Sequence, residues 1–145
     1  MDKSEHAILV ATAAHYGQYD KGGRPRLAHV LHVGNQFEDE THKIVGYLHD
    51  TLEDSPLFRY VGLAEVFGDD VGFAVMAITR SNGEAYFDYI KRCRLNPIAR
   101  AVKIADIKHS MDRSRWPEMP DSYYQREVKA LAMLEAPAAP TKEET

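Results

Sequence analysis

Cysteine is almost absent from this chain of 145 residues. The single Cys93 excludes an internal disulfide framework and a cysteine-based zinc site, and a reducing cytoplasm is the expected location. Long apolar runs are absent as well. None approaches the ~18 residues that a membrane span requires, so no membrane partner is expected. The opening MDKSEHAILVATAAHYG lacks the long apolar core and cleavage site of a signal peptide, and reads as a first helix. Alternating β-branched runs are few, and no Asn-Gly or Asp-Gly hairpin joins such runs, which argues against a sheet protein. An excess of positive charge is lacking too: the formal net charge of −4 argues against a general nucleic-acid binder.

What is present fits one globular domain. Apolar residues make up 44% and charged residues 28%, an ordinary soluble composition. A domain of this length buries about two thirds of the surface its unfolded chain exposes. Helical periodicity recurs throughout, so the expectation is an all-α fold, a bundle of six to eight helices. Ser4 is placed to cap a first helix running to His15. The adjacent glycines of GQYDKGGRP break the chain, and Pro25 suits the start of a second helix over Arg26 to Phe37. A third is expected over Asp39 to Leu52, then Leu57 to Phe67 and Asp69 to Thr79. After the turn Ser81-Asn82-Gly83 the amphipathic EAYFDYIKRCRL follows. Asn96-Pro97 opens a helix through IARAVKIADIKHSMD, and a last helix covers Asp121 to Leu134. The domain is assigned to residues 1–135, and the Pro/Ala-rich, then charged, tail 136–145 is expected to be disordered.

Chemistry concentrates in YLHDTLEDS. On a continuous helix His49 lies four residues from Glu53, and Asp50 four from Asp54. Carboxylates crowded at a helix C-terminus oppose one another and the helix dipole, and a divalent cation removes that conflict. A solvated acidic helix end is the alternative, but the apolar flanks Ile44, Val45, Tyr47, Leu48 and Leu52 speak for a packed helix with inward-facing acids. Asp106 sits among alanines, a valine and isoleucines in AVKIADIKH, where a carboxylate is costly unless paired or metal-bound. His29 and His32 are three apart and share a helical face. Imidazole with carboxylate suits Mn²⁺, Fe²⁺, Zn²⁺ or Ni²⁺. Lys21, Arg24 and Arg26 form one basic group and Lys103, Lys108, Arg113 and Arg115 another. Either these are two solvated faces, or the fold joins them into one mouth for a phosphorylated ligand. Tyr86, Phe87 and Tyr89 read as core or oligomer surface, with a base-stacking wall as the alternative; Trp116 reads as a lid or a packing edge.

The ordered set GQYDKGGRPRLAH, YLHDTLED and VKIADIKHS resembles the HD-domain phosphohydrolase superfamily. More narrowly it resembles the small alarmone hydrolases and the hydrolase half of the long Rel/Spo stringent-response enzymes. AAHYGQ, FGDDV and ITRSNGEAYFDYI extend the likeness from Ile8 to Asp112. The resemblance implies that His29, His49, Asp50 and Asp106 hold a divalent metal, usually manganese. It also implies that Glu53 and Asp54 orient or deprotonate the attacking water, and that Lys21 belongs to a substrate loop. Arg24 and Arg26 are further candidates for the substrate phosphates. His32 has no matching role and is read as structural, and His15 is given a packing role. The pattern departs at Asp20, where alarmone-cleaving relatives usually carry arginine. It departs again at Arg26, in place of an aromatic residue, and at Ser110, in place of an asparagine that helps hold the ribose-phosphate region. The expected activity is removal of the 3′-pyrophosphate from guanosine polyphosphates (ppGpp, pppGpp). The alternatives are a nucleotide or NADPH phosphatase on the same metal site, or a non-catalytic nucleotide-binding module.

Overall fold

The computed structural model describes residues 1–54 and 59–137, the side chains of Glu53 and Asp54 excepted. Its helices are α1 (Lys3–Ala14), α2 (Arg26–Asn35), α3 (Glu40–Leu48), α4 (Thr51–Asp54), α5 (Tyr60–Phe67), α6 (Asp69–Ile78), α7 (Tyr86–Arg94), α8 (Pro97–Ser110) and α9 (Asp121–Glu135). Since α4 is a single turn, eight longer helices among the described residues build the expected all-α architecture. Among the described residues the only β pairing is an isolated bridge between Tyr19 and Pro25. The start of the helix expected from Leu57, and tail positions 138–145, lie outside the described residues.

Five consecutive residues of α3, Ile44 to Leu48, are buried, so the C-terminal half of this helix is covered on all sides. It packs against α1, α2, α6 and α8, while α8 also meets α7 and α9. Val33, Ile44, Leu48, Val75, Ile78, Ile90, Val102, Ile107 and Leu134 belong to one continuous core. At roughly 1.5–3 kcal/mol for each fully buried aliphatic side chain, that core is the main stabilising term. Tyr89 belongs to it, 3% exposed, with its hydroxyl donating to the Ile78 carbonyl. Tyr86 donates to the Glu127 carboxylate at 2.8 Å. Tyr89 thus sits in the core, and Tyr86 and Phe87 are half-buried and packed against it.

The approach of α2 to α3 depends on two glycines. A Cβ on Gly46 would lie 2.5 Å from the Gly34 Cα, and one on Gly34 would lie 2.2 Å from the Tyr47 ring. No side chain fits between these backbones. The Tyr47 hydroxyl closes the crossing by donating to Asn35 Oδ1 at 2.5 Å.

Two expectations change. The first helix is capped by Asp2, not Ser4: Asp2 Oδ1 accepts from the Glu5 amide at 2.8 Å, and Glu5 Oε2 accepts from the Asp2 amide at 3.2 Å. A reciprocal box needs an acid three residues after the cap, and Ser4 has Ala7 there. The third helix stops at Leu48 instead of running to Leu52. His49 Nδ1 donates to the Gly46 carbonyl at 2.6 Å, engaging the acceptor that an uninterrupted helix uses for the Asp50 amide. His49 and Asp50 therefore occupy a joint between α3 and α4, in place of the continuous helix expected through them.

Candidate metal centre

Three helices deliver the candidate ligands: His29 from α2, His49 and Asp50 from the end of α3, and Asp106 from α8. Ligand-type atoms of His29, His49 and Asp50 lie within 4.8 Å of one another. Asp106 Oδ1 is 2.9 Å from His29 Nε2 and 3.5 Å from His49 Nε2, and Asp50 Oδ2 is 3.4 Å from His49 Nε2. His29, His49 and Asp106 are 6%, 1% and 7% exposed, which makes their polar atoms expensive without partners. All four residues singled out from the sequence are brought together.

His49 shows the clearest fit to a metal ion. Its Nδ1 is committed to the Gly46 carbonyl, while its buried Nε2 has no hydrogen bond. At 3.4 and 3.5 Å the two carboxylates make ionic contacts with it but are too far for good hydrogen bonds. A metal-ligating histidine characteristically gives its other N–H to a carbonyl or carboxylate, which fixes the tautomer and ring orientation. Burial disfavours a charged His49, yet Asp50 and Asp106 outweigh burial and lift its pKa to about 9. Two imidazoles and two carboxylates form a donor set that fits a divalent transition metal.

The carboxylates are themselves held. Lys103, one turn before Asp106 on α8, donates to Asp106 Oδ2 at 2.9 Å, and Ser110 Oγ donates to Oδ1 at 3.2 Å. Burial alone would raise the Asp106 pKa; the Lys103 ammonium and His49 reverse this and hold it well below the ordinary carboxylate value. Asp50 is also held below its ordinary value: burial opposes this, and His49, His29 and Arg26 outweigh it. Arg26 Nη1 reaches Asp50 Oδ2 at 3.4 Å.

A cavity of about 310 Å³ opens onto this cluster, walled in part by Lys21, Arg26, Ser110, Arg115, Trp116, Tyr123 and Arg126. The two basic groups of the sequence thus partly converge, through Lys21, Arg26 and Arg115. Arg24 is exposed and not among the wall residues; its amide donates to Asp20 Oδ1. Asp20, where the sequence departs from the motif it resembles, organises the loop. Its carboxylate accepts from the Gly22 and Arg24 amides at 3.0 Å and from Arg115 Nη2 at 2.8 Å. A Cβ on Gly22 would lie 2.0 Å from the Arg115 carbonyl, so the loop is seated directly on that segment. Lys21 Nζ lies 5.4 Å from the Trp116 ring centre and 5.2 Å from that of Tyr123. Trp116 is accordingly part of the wall. Glu53 and Asp54 close α4, and their side chains lie outside the described residues.

Sequence reasoning missed Tyr123, Arg126 and His109. The first two reach the cavity from α9 by tertiary packing that no local pattern announces. Lys103 was visible as a basic residue, and its i,i+3 spacing to Asp106 was the unused signal for an ion pair. His15 has the packing role expected of it, 2% exposed and bonded through Nδ1 to Gln18 at 2.9 Å.

The fold is shared with a solved structure described as a metazoan ortholog of SpoT that hydrolyzes ppGpp and plays a role in starvation responses. The TM-score is 0.75 at 19% identity, over 93% of this chain and 86% of that one. In sequence the chain is 29% identical over 148 residues to a probable GTP pyrophosphokinase of Mycobacterium leprae, covering 93% of this chain. It is 36% identical over 84 residues, 55% of this chain, to a GTP pyrophosphokinase of Myxococcus xanthus. The chain spans only 18% and 11% of the lengths of these relatives. No family model matches it. The all-helical fold and the sequence likeness agree with the resemblance that the motifs carry.

Proposed function

We propose that the chain is a metal-dependent phosphohydrolase acting on a nucleotide, and that its reaction is removal of the 3′-pyrophosphate from a guanosine polyphosphate. The observation that carries this is the convergence of His29, His49, Asp50 and Asp106, with His49 Nε2 buried and lacking a hydrogen bond. These four side chains would hold the cation, with Mn²⁺ expected from the resemblance. When bound, a divalent cation supplies a low-pKa water and Lewis acidity toward a phosphoryl oxygen. Lys103 and Arg26 would hold the two carboxylates ionised and oriented toward it. Glu53 and Asp54 are assigned the positioning and deprotonation of the attacking water. Lys21 and Arg26 on the cavity wall would neutralise charge on the departing pyrophosphate, and Ser110 would line the ribose-phosphate side. The metazoan protein that shares the fold is described as hydrolysing ppGpp, which supports this substrate class.

A second reading is favoured by one observation. Asp20 turns its carboxylate to Arg115, so the loop presents Lys21 without the neighbouring arginine of alarmone-cleaving relatives. A nucleotide or NADPH phosphatase on the same metal site accommodates that change. Incubation with ppGpp, NADPH and deoxynucleotides in Mn²⁺ separates the two: pyrophosphate release from ppGpp supports the first, orthophosphate release from NADPH or a nucleotide the second. No release from any of these, with metal bound, would leave a binding module.

A further inference from the structure

We propose that His109 is a positioning residue of the metal site, accepting a hydrogen bond from His29 Nδ1 and thereby fixing His29 Nε2 toward the cation. The inference rests on the metal-site reading given above. The two Nδ1 atoms are 2.8 Å apart, and His29 Nε2 is at the same time 2.9 Å from Asp106 Oδ1. Between two ring nitrogens at that distance one must carry the proton and the other must accept it. A histidine that ligates through Nε2 has only Nδ1 left to carry its proton. The direction is therefore fixed: His29 donates and His109 accepts.

His109 is held for this role from several sides. Its ring stacks on His32 with centres 3.8 Å apart and planes 12° from parallel, and His32 Nε2 is itself 3.2 Å from Gln36 Nε2. Arg115 Nη1 donates to the His109 carbonyl at 3.0 Å, tying this stretch of α8 to the Asp20 loop. His109 stands three residues after Asp106, so one face of α8 supplies both a ligand and the group that orients a second ligand. His32, which matched no role in the motif, becomes the stacking platform for His109. Orienting partners of metal-bound histidines are mostly carboxylates, carbonyls or water; a neutral imidazole is an uncharged acceptor that fixes the ring without adding negative charge.

The test is calorimetric titration of Mn²⁺ into the metal-free full chain, comparing wild type with His109→Leu and His109→Asn. Leucine keeps bulk without an acceptor, whereas the asparagine side-chain oxygen can stand near the position of Nδ1. The expected result is a loss of about 10–100-fold in affinity for the leucine variant, with the asparagine variant close to wild type. Wild-type affinity in His109→Leu overturns the inference. Equal loss in both variants also overturns it, because it assigns His109 to packing alone. Absence of Mn²⁺ binding by the wild type overturns the metal-site reading itself, and this inference with it. Should the leucine variant not fold, ring ¹⁵N shifts of the Zn²⁺-loaded wild type decide: His109 protonated at Nε2 supports the role, and protonated at Nδ1 refutes it.

Discussion

Replacing Gly46 by alanine places a methyl group where α2 and α3 have no room. The new Cβ would stand 2.5 Å from Gly34 Cα, 2.7 Å from Gly34 N and 3.2 Å from the Val33 carbonyl carbon, all of them backbone atoms that no rotamer change can move. Ordinary carbon contacts lie at about 3.5–4.0 Å, so the two helices must separate by about 1 Å. Overpacking of this kind costs about 1–3 kcal/mol, and a rigid neighbour on the opposing helix puts the cost at the upper end. Helix propensity returns about 1 kcal/mol when alanine replaces glycine. The net expectation is a loss of about 2 kcal/mol, or a Tm lower by about 4–8 °C for a domain of this size. The same shift moves His29, carried by α2, away from His49 at the end of α3. Metal affinity should therefore fall by at least about tenfold, as it does when groups orienting metal ligands are disturbed. Urea denaturation of the metal-free protein and calorimetric Mn²⁺ titration measure the two effects. Gly62→Ala is the control: it also lies within a helix, α5, and its Cβ would meet nothing within 4 Å, so it should be neutral or slightly stabilising. Wild-type stability and metal affinity in Gly46→Ala would refute the argument that this crossing sets the geometry of the site.

Other consequences are as direct. Lys103→Met leaves Asp106 buried beside its imidazoles without the ammonium at 2.9 Å, and should cost about 3–5 kcal/mol in metal-free protein. Saturating Mn²⁺ should recover part of that loss, which thermal melts with and without the ion will show. Cys93 is fully buried, and burial raises its pKa to about 11, so it should resist alkylation at pH 8 in native protein and react promptly in guanidinium. The Glu84 carboxylate accepts from Arg92, which depresses its pKa to about 2. Its contribution to stability is therefore present above the unfolded pKa of about 4.5 and is lost as pH falls toward 2. The stability difference between wild type and Glu84→Gln, followed by urea denaturation from pH 6 to pH 2, should shrink in that window.

The cluster of candidate ligands was legible in the sequence, most clearly at Asp106, where two independent signals coincide. The ordered motifs name them, and Asp106 lies in a context too apolar for an unpaired carboxylate. The helices were legible from periodicity and breakers, since Gly68, Asn96-Pro97 and Pro120 each stand where a helix begins or ends. The interruption at His49–Asp50 was not, because it turns on a side-chain bond to the Gly46 carbonyl, and apolar periodicity passes through it unchanged. The wall contributed by Tyr123 and Arg126 and the pairing of His109 with His29 arise from contacts between helices distant in sequence. The role of Asp20 was hidden for a different reason. Read as a missing substrate-binding arginine, it is in the structure a loop-organising acid whose partner, Arg115, lies 95 residues away.

Asp106 touches both His29 and His49 from a third helix. Metal analysis combined with turnover of ppGpp, on wild type and on Asp106→Ala, decides whether this cluster is catalytic. The wild type should carry a divalent cation and release pyrophosphate, and the variant should lose both while remaining helical. A variant that keeps wild-type turnover would contradict the assignment of this cluster as the catalytic metal centre.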